Sequence, residues 1–257
     1  MIAHIWVMEN PHSISRRQIL SLGAASIAAP MFATAAAQAA IQPVLVELFT
    51  SQGCSSCPAA DRLAAKLKDR PGVQMISFNV DYWDYLGWRD TLASPDYTKR
   101  QMDYAHARGD NDVYTPQMVI NGDAHVVGSS QASVETAIAT AANLAPKISI
   151  SLKATDNDLI VELGDGAEQE EGTLWLMAIA PQVDVKIERG ENSGSTISYH
   201  NVVRKLVPAG TWMGKATKLM LPKNNIMIEG STSCLAVLQR RALGSVLGFA
   251  KLGNKDA

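Results

Sequence analysis

The sequence predicts two folded regions, an α/β domain at residues 40–146 and a β-rich, sandwich-like domain at residues 147–257. In the first region, apolar runs with β-branched residues alternate with segments whose apolar residues recur at helical spacing, which is typical of an α/β fold. In the second region, short runs alternate apolar and polar residues between turn residues, which is typical of strands with one buried face. Hydrophobic residues make up 47% of the chain, so a packed core is expected without metals or many disulfides.

The elements of the first region follow from local signals. Pro58 is compatible with the first turn of a helix that follows the first strand. Ser94 and Pro95 predict a capped helix start, and Gly109 predicts the end of that helix. Asn121-Gly122 predicts a hairpin turn. In order, the predicted elements are strand 41–50, helix 59–68, strand 73–80, helix 95–108, strand 117–120, strand 124–127 and a helix after the cap at 128–130.

The second region is predicted to begin near Pro146. Alternating apolar residues at 148–152 open it, and further strands are expected at 159–161, 174–179 and 183–187. The next segment, 188–195, is polar and contains glycines, which favours a hairpin loop. A loop that folds back toward the cysteines described below is the alternative.

Residues 1–39 are predicted to be an export signal that is not part of the fold. Arg16 and Arg17 precede an Ala-rich, weakly apolar stretch, and Ala37-Gln38-Ala39 has the small-residue pattern of a cleavage site. The paired arginines indicate the twin-arginine route, with a general secretory signal as the alternative. Pro30 interrupts the stretch, and a stable membrane anchor needs about 20 strongly apolar residues. We therefore expect a periplasmic or secreted protein without a stable membrane anchor.

Charge and cysteine content narrow the class of protein. The net charge is −2, with 23 Lys and Arg against 25 Asp and Glu, so no nucleic-acid-binding surface is expected. Three cysteines are too few for a disulfide-based scaffold, and the odd number leaves one thiol outside any pair within the chain. In an oxidising compartment, an exposed cysteine pair is either a stable disulfide or a working redox couple.

The pattern Cys54-Ser55-Ser56-Cys57 stands between the first predicted strand and the first predicted helix. Two thiols at this spacing can form a small disulfide ring and reopen it. We place Cys54 at the helix N-terminus, where unpaired N–H groups and the helix dipole stabilise a thiolate. Cys54 is then the expected nucleophile, and Cys57 the thiol that resolves the mixed disulfide. An inert disulfide is the alternative, although closing so short a loop stabilises a fold little.

The order of elements around this motif, with Thr115-Pro116 before the third strand, resembles the thioredoxin fold. More closely, the chain resembles the domain of unknown function 1223 family of secreted bacterial proteins. The matching stretches are ELFTSQGCSSCP at 47–58, VDYWDYLGW at 80–88, YTPQMVING at 114–122 and ERGEN at 188–192. The resemblance implies a thioredoxin-like domain followed by a β domain, and it implies no particular reaction.

The resemblance also implies roles for residues near the cysteines. It implies a cis peptide bond between Thr115 and Pro116, beside Cys54, where the Thr115 backbone could pair with an extended substrate peptide. The two serines between the cysteines would tune the redox potential. Glu47, within the first strand, could relay protons during exchange, since thioredoxins have an Asp near this place. A surface-facing or ion-paired Glu47 is the alternative.

Aromatic residues form the remaining candidate site. Four of them fall within 82–88, and polar residues and Gly87 interrupt the run, so it could form the wall of a groove beside the cysteines. Packing in the core or between domains is the alternative. The candidate substrate-binding residues are Tyr82, Trp83, Tyr85, Trp88 and Tyr114.

These features predict an exported thiol–disulfide oxidoreductase without a cofactor. Its partners would be cysteine-containing periplasmic proteins or a redox partner protein. One alternative is a copper or zinc metallochaperone that uses the same thiols with His106, His125 or His200, since thiolates suit Cu(I). Another is a non-catalytic binding protein with a permanent disulfide. Cys234 is expected to be a buried, inert strand cysteine.

Overall fold

The structure is a computed structural model that describes residues 43–144 and 148–252. The predicted export signal and the predicted boundary at Pro146 lie outside these ranges. The helices are α1 (Cys57–Leu67), α2 (Pro95–Arg108) and α3 (Gln131–Ala141). The strands are β1 (Val44–Thr50), β2 (Val73–Asn79), β3 (Gln117–Ile120), β4 (Ala124–Val127), β5 (Ile150–Ala154), β6 (Asp158–Leu163), β7 (Gly172–Lys186), β8 (Thr196–Trp212), β9 (Thr217–Pro222), β10 (Ser233–Arg240) and β11 (Val246–Lys251).

Local signals placed the ends of several elements correctly. The Ser94 side chain accepts a bond from Asp96 N–H at the start of α2, and Gly109 ends the helix at a φ of 78°. That left-handed conformation is readily adopted by glycine, which has no Cβ. The hairpin at Asn121 is also confirmed, since β3 and β4 pair antiparallel around it. Short-range sequence signals therefore determine these boundaries.

One eight-stranded mixed sheet runs through both predicted domains, in the order β11-β10-β7-β8-β2-β1-β3-β4. β1 pairs with β2 in parallel, and β2 pairs with β8 in parallel through Ser77 and Val202. The other neighbours in this sheet are antiparallel. The α/β fold class is confirmed, but β7, β8, β10 and β11 extend the first sheet because β8 pairs with β2.

The two faces of this sheet carry different layers. On one face, α2 packs over apolar residues that include Leu45, Phe49 and Met177. On the other face, α1 and α3 cover the β1 end through Leu48 and its neighbours. A separate sheet of order β5-β6-β9 covers the β7–β10 end of that second face, around Trp212. The sandwich-like packing that the sequence predicted is thus confined to this end.

The layers position the candidate site. β1 and β2 are parallel, and the turn from β1 into α1 lies at the carboxyl end of β1. Ligands and reactive groups of open α/β sheets commonly lie at this edge. No helix in the described ranges is long and apolar enough to cross a membrane.

Candidate functional site

The Cys54–Cys57 disulfide closes the turn between β1 and α1. The two Cα atoms are 5.4 Å apart. Cys54 N–H donates to the Ser51 carbonyl and Cys57 N–H to the Cys54 carbonyl, both at 3.2 Å. Cys54 is 2% exposed and Cys57 is 0% exposed, whereas Ser55 and Ser56 face solvent. Both cysteines are therefore covered in this state of the protein.

The first helix begins at Cys57, so the expectation that Cys54 opens the helix is corrected. Ser56 is the N-cap, and Pro58 follows Cys57 in the first turn. The Ser56 hydroxyl makes no capping bond and lies 3.4 Å from Cys54 Sγ. A hydroxyl at this distance can donate to a Cys54 thiolate, and such a bond lowers the pKa of a thiol.

Asp90 holds the segment that leads into the cysteines. Its Oδ2 accepts bonds from Gln52 N–H at 2.8 Å and from Asn79 Nδ2 at 2.9 Å. The Gln52 side-chain carbonyl in turn accepts a bond from Trp88 Nε1 at 2.8 Å. Burial raises the pKa of Asp90, and the hydrogen bonds that it accepts oppose that rise. The predicted site residue Trp88 thus supports the cysteine loop through Gln52.

Trp83 connects the cysteine loop to the Thr115-Pro116 loop. Its Nε1 donates to Thr115 Oγ1 at 2.7 Å. A Cβ added at Gly53, the residue before Cys54, would lie 3.0 Å from Trp83 Cβ, so only glycine fits here without a shift. The Thr115–Pro116 bond is cis, which confirms that expectation. The structure therefore brings these two predicted motifs together through one residue, Trp83, whose Cβ lies beside Gly53 and whose indole N–H reaches Thr115.

The two tyrosines of the aromatic run, Tyr82 and Tyr85, differ in exposure. Tyr82 is partly buried, its hydroxyl donates to Gln101 Oε1 at 3.2 Å, and burial raises its pKa to about 12. Tyr85 is 77% exposed, and its ring stacks on Trp83 with the ring centroids 6.4 Å apart. Tyr85 is thus the member of the run that presents an aromatic face to solvent beside Trp83.

Tyr114 is held by a histidine. Its hydroxyl lies 2.9 Å from His125 Nδ1, and His125 Nε2 lies 3.2 Å from Asp110 Oδ2. Because Gln117 Nε2, a donor, also lies 3.3 Å from Nδ1, we assign Nδ1 as the acceptor and Nε2 as the ring nitrogen that carries a proton. His125 therefore positions the residue that precedes Thr115.

The loop between β7 and β8 reaches the cysteines through Asn192. Its Nδ2 donates to the Gln52 carbonyl at 2.9 Å and to the Cys54 carbonyl at 3.0 Å. Gly194 N–H donates to the Ile187 carbonyl at 2.8 Å, so the segment is a hairpin loop, as predicted. The alternative prediction, a loop that folds back toward the cysteines, is also confirmed, because Asn192 bonds to the Cys54 carbonyl.

Glu47 forms an ion pair. Arg100 donates to its carboxylate through Nε at 2.7 Å and Nη2 at 2.9 Å. Tyr104 donates a third bond at 2.6 Å. Glu47 alternates with Leu48, which packs against α1, so Glu47 lies on the opposite face of β1, the face that carries α2. This arrangement confirms the ion-paired alternative and gives the carboxylate a structural role.

A different carboxyl, that of Asp61, lies on α1 one turn beyond Cys57. Asp61 is 3% exposed on the buried face of α1, and its Oδ1 accepts a bond from Thr50 Oγ1 at 2.9 Å. Its Oδ2 is buried and has no hydrogen-bond partner within the described part of the chain. Burial raises its pKa to about 8, against the opposing bond from Thr50.

Other potential ligands are scattered. Among residues 43–144 and 148–252, no three His, Cys, Asp or Glu side chains are grouped to hold a metal ion. Cys234 is fully buried in β10, and burial raises the pKa of its thiol to about 12. This environment agrees with the expectation that Cys234 is inert.

The family model described as "Protein of unknown function (DUF1223)" matches residues 45–239. The chain belongs to this family. A crystal structure of protein AGR_C_4864 from Agrobacterium tumefaciens is 29% identical and has a TM-score of 0.72, over 83% of this chain and 95% of that chain. HBP35 of Porphyromonas gingivalis, at 12% identity and a TM-score of 0.56, is similar in fold alone, over 82% of this chain and 74% of that one. No curated protein is significantly similar to the chain.

Sequence reasoning missed three polar residues of this DUF1223 protein: Asp61, Asp90 and Asn192. Asp61 had a readable signal, since a carboxyl one turn after Cys57 interrupts the apolar face of the predicted helix. Asn192 lies in the stretch ERGEN, which marked the family without indicating a contact. The role of Asp90 had no local signal, because the partners through which it holds the cysteine loop, Gln52 and Asn79, lie after β1 and in β2.

Proposed function

We propose that this protein catalyses thiol–disulfide exchange on cysteine-containing proteins through Cys54 and Cys57. The observation that carries the proposal is the position of this disulfide, in a short turn that three separate segments hold in place. Asp90 binds the residues before it, Trp83 joins it to Thr115, and Asn192 binds its carbonyls. A disulfide that closes so short a loop constrains the unfolded chain little, so stability alone does not account for it.

The fold supports a thioredoxin-like arrangement for the first region. Four neighbouring strands have the order β2-β1-β3-β4, with β1 and β2 parallel and the others antiparallel. α1 follows β1 directly after the cysteines, and the cis Thr115–Pro116 bond precedes β3. In this proposal, the Thr115 backbone positions an extended substrate segment, and the exposed ring of Tyr85 contacts it.

The chemistry requires a stabilised Cys54 thiolate in the reduced protein. Ser56 Oγ, at 3.4 Å from Cys54 Sγ, supplies a hydrogen-bond donor to it. The positive end of the α1 helix dipole favours negative charge near the same place. Cys54 then attacks a substrate disulfide, and Cys57 attacks Cys54 to release the substrate thiolate. In the opposite direction, a substrate thiolate attacks Cys54 of the disulfide, Cys57 leaves as the thiolate, and a second substrate thiolate releases Cys54.

One observation favours a second candidate, a non-catalytic binding protein with a permanent disulfide. Cys54 is only 2% exposed, so a substrate sulfur reaches it only after a neighbouring group moves. The Asn192 side chain donates to the Cys54 carbonyl, and Asn192 lies in the loop that connects β7 to β8. In the first proposal this loop shifts when a substrate binds.

Trapping with cysteine variants tests the function. Cys57→Ser, made together with Cys234→Ser, should form a mixed disulfide with a purified unfolded protein that carries an activated thiol, because the resolving thiol is absent. Cys54→Ser, made in the same background, is the matched control and should form none. No adduct with Cys57→Ser, together with a Cys54 pKa near the ordinary value of about 8.5, would sink the proposal.

The proposal includes export. Residues 1–39 would be removed after Ala39, and the mature chain would work in the periplasm or outside the cell on cysteine-containing proteins or a redox partner. Fractionation of cells that produce the full chain, with sequencing of the mature N-terminus, tests this. Replacing Arg16 and Arg17 with lysines should block export by the twin-arginine route, whereas unchanged export would indicate the general secretory route.

A further inference from the structure

Asp61 lies one turn beyond Cys57 on the same face of α1. Both residues belong to the buried side of the helix, and residues four apart on a helix have Cβ atoms about 5–6 Å apart. Helical side chains lean toward the N-terminus, which directs the Asp61 carboxyl toward Cys57. The placement therefore puts an ionisable group one helical turn from the thiol that resolves the mixed disulfide.

The hydrogen bonding of Asp61 is incomplete. Thr50 occupies Oδ1, while Oδ2 is buried with no bond to any part of the chain that the structure describes. No cation pairs with this carboxyl among the described salt bridges, which distinguishes it from Glu47. An unpaired buried carboxylate is costly, and a protonated carboxyl avoids that cost.

The charged groups around Asp61 are few. Burial has the largest effect on its pKa, the negative charge of Asp90 adds to the rise, and Arg62 on the same helix opposes it. β2 has no titratable side chain, and the one carboxyl of β1, Glu47, lies on the other face. β8, which also packs against α1, contributes Tyr199, whose buried hydroxyl has no partner within the described ranges, and His200.

We propose that Asp61 exchanges a proton with the Cys57 thiol during the disulfide exchange; this rests on the proposed function. When a substrate thiolate attacks Cys54 Sγ, the Cys54–Cys57 bond breaks and Cys57 Sγ leaves with the electron pair. The protonated Asp61 gives its proton to that sulfur and becomes a carboxylate. A second substrate thiolate then attacks the substrate sulfur of the mixed disulfide and releases Cys54 as a thiolate, so the substrate is oxidised as the cysteine pair is reduced.

The reverse direction uses the same group. Asp61, now ionised, takes the proton from Cys57 as the Cys57 sulfur attacks the mixed disulfide on Cys54. The bond between Cys54 and the substrate breaks, and the substrate leaves as a thiolate. Asp61 ends protonated, ready for the next cycle, so no proton has to cross from solvent at the moment of exchange.

The test is the pH dependence with which dithiothreitol reduces the disulfide of the purified protein. We divide the rate constant by the concentration of dithiothreitol thiolate, so that ionisation of the reductant does not contribute to the pH dependence. For the unmodified protein this rate should be constant below about pH 8 and fall above it, as Asp61 loses its proton. Asp61→Asn should lower the rate below pH 8 by about 10²-fold, because an amide cannot donate a proton in this way. It should also remove the break, that is, the pH at which the rate of the unmodified protein begins to fall.

Two further variants separate proton transfer from folding. Asp69→Asn, an exposed carboxylate just after the same helix, is the matched control and should leave rate and break unchanged. Thr50→Val removes the hydrogen bond that stabilises the Asp61 carboxylate and should move the break to higher pH.

The outcomes distinguish the two proposals. If the unmodified protein is not reduced, the proposed function fails. If it is reduced but Asp61→Asn keeps the break, or Thr50→Val leaves the break in place, the role of Asp61 is overturned while the proposed function stands.

Discussion

Glu47 and Asp61 are two buried carboxyls on opposite faces of the same sheet, and their surroundings differ. Glu47 is 1% exposed and accepts three hydrogen bonds, two from Arg100 and one from Tyr104. Asp61 is 3% exposed and accepts one bond, from a neutral hydroxyl. Similar burial therefore gives one carboxyl that is paired with the Arg100 guanidinium and one that has no such partner, whose pKa burial raises to about 8.

The partners of the two carboxyls indicate different roles for Glu47 and Asp61. The Glu47–Arg100 pair is linked to Gln239 of β10, since Arg100 Nη2 donates to Gln239 Oε1 at 3.2 Å. It therefore ties α2 and β1 to the C-terminal part of the sheet. Within the described ranges, the Asp61 side chain bonds only to Thr50, and it lies one turn beyond Cys57. The face of the sheet under α2 thus holds a structural ion pair, whereas the face under α1 holds the groups to which the proposed function assigns the chemistry.

The largest expected effect concerns Asp61 and the pH dependence of stability. The folded-state pKa of about 8 lies above the ordinary value of 3.8, so the folded protein binds this proton more tightly than the unfolded chain. The stabilisation is present below about pH 4 and is lost as the pH rises toward 8. Asp61→Asn lacks this loss, so its stability relative to the unmodified protein should rise by about 6 kcal/mol across the range, as measured by urea unfolding. A difference that does not change with pH would contradict the account.

A smaller loss of stability is expected from breaking the Glu47–Arg100 pair. Arg100→Met removes the cation and leaves Glu47 buried without it, which should cost about 3–5 kcal/mol in urea unfolding. The double variant Glu47→Met and Arg100→Met removes both charges and should recover much of that loss, because apolar residues of similar volume often replace a buried pair without cost. A double variant as unstable as the single one would show that the pair does more than neutralise Glu47.

The smallest expected effect concerns the loop over the cysteines. Asn192→Ala removes two buried hydrogen bonds and should lower stability by about 1–3 kcal/mol. It should also speed the reaction of the reduced protein with iodoacetamide at Cys54, because the loop is released from the cysteine turn. Ser193→Ala, in the same loop, is the control and should leave the rate unchanged. An equal rate in Asn192→Ala would mean that this side chain does not restrict access to Cys54.

Parts of this arrangement could be predicted from the sequence because they depend on neighbours along the chain. The cap at Ser94, the end at Gly109 and the hairpin at Asn121 follow from local backbone preferences. The disulfide between Cys54 and Cys57 follows from their spacing, and the cis bond before Pro116 follows from a resemblance that covers the surrounding motif.

The rest depends on residues that are distant along the chain. Asn192 lies 138 positions from Cys54, and nothing near either residue indicates that they meet. The continuation of the sheet through the predicted domain boundary likewise depends on a pairing between Ser77 and Val202. The face of β1 on which Glu47 lies depends on the register of β1 against its neighbouring strands, and this register cannot be derived from composition.

The reduction potential of the Cys54–Cys57 couple tests the central claim most directly. Equilibration of the purified protein with defined ratios of reduced and oxidised glutathione or dithiothreitol, followed by alkylation of free thiols, gives this value. The account predicts a potential between about −270 and −120 mV, the span of proteins that exchange disulfides with substrates. A potential below about −300 mV, typical of structural disulfides, would contradict it.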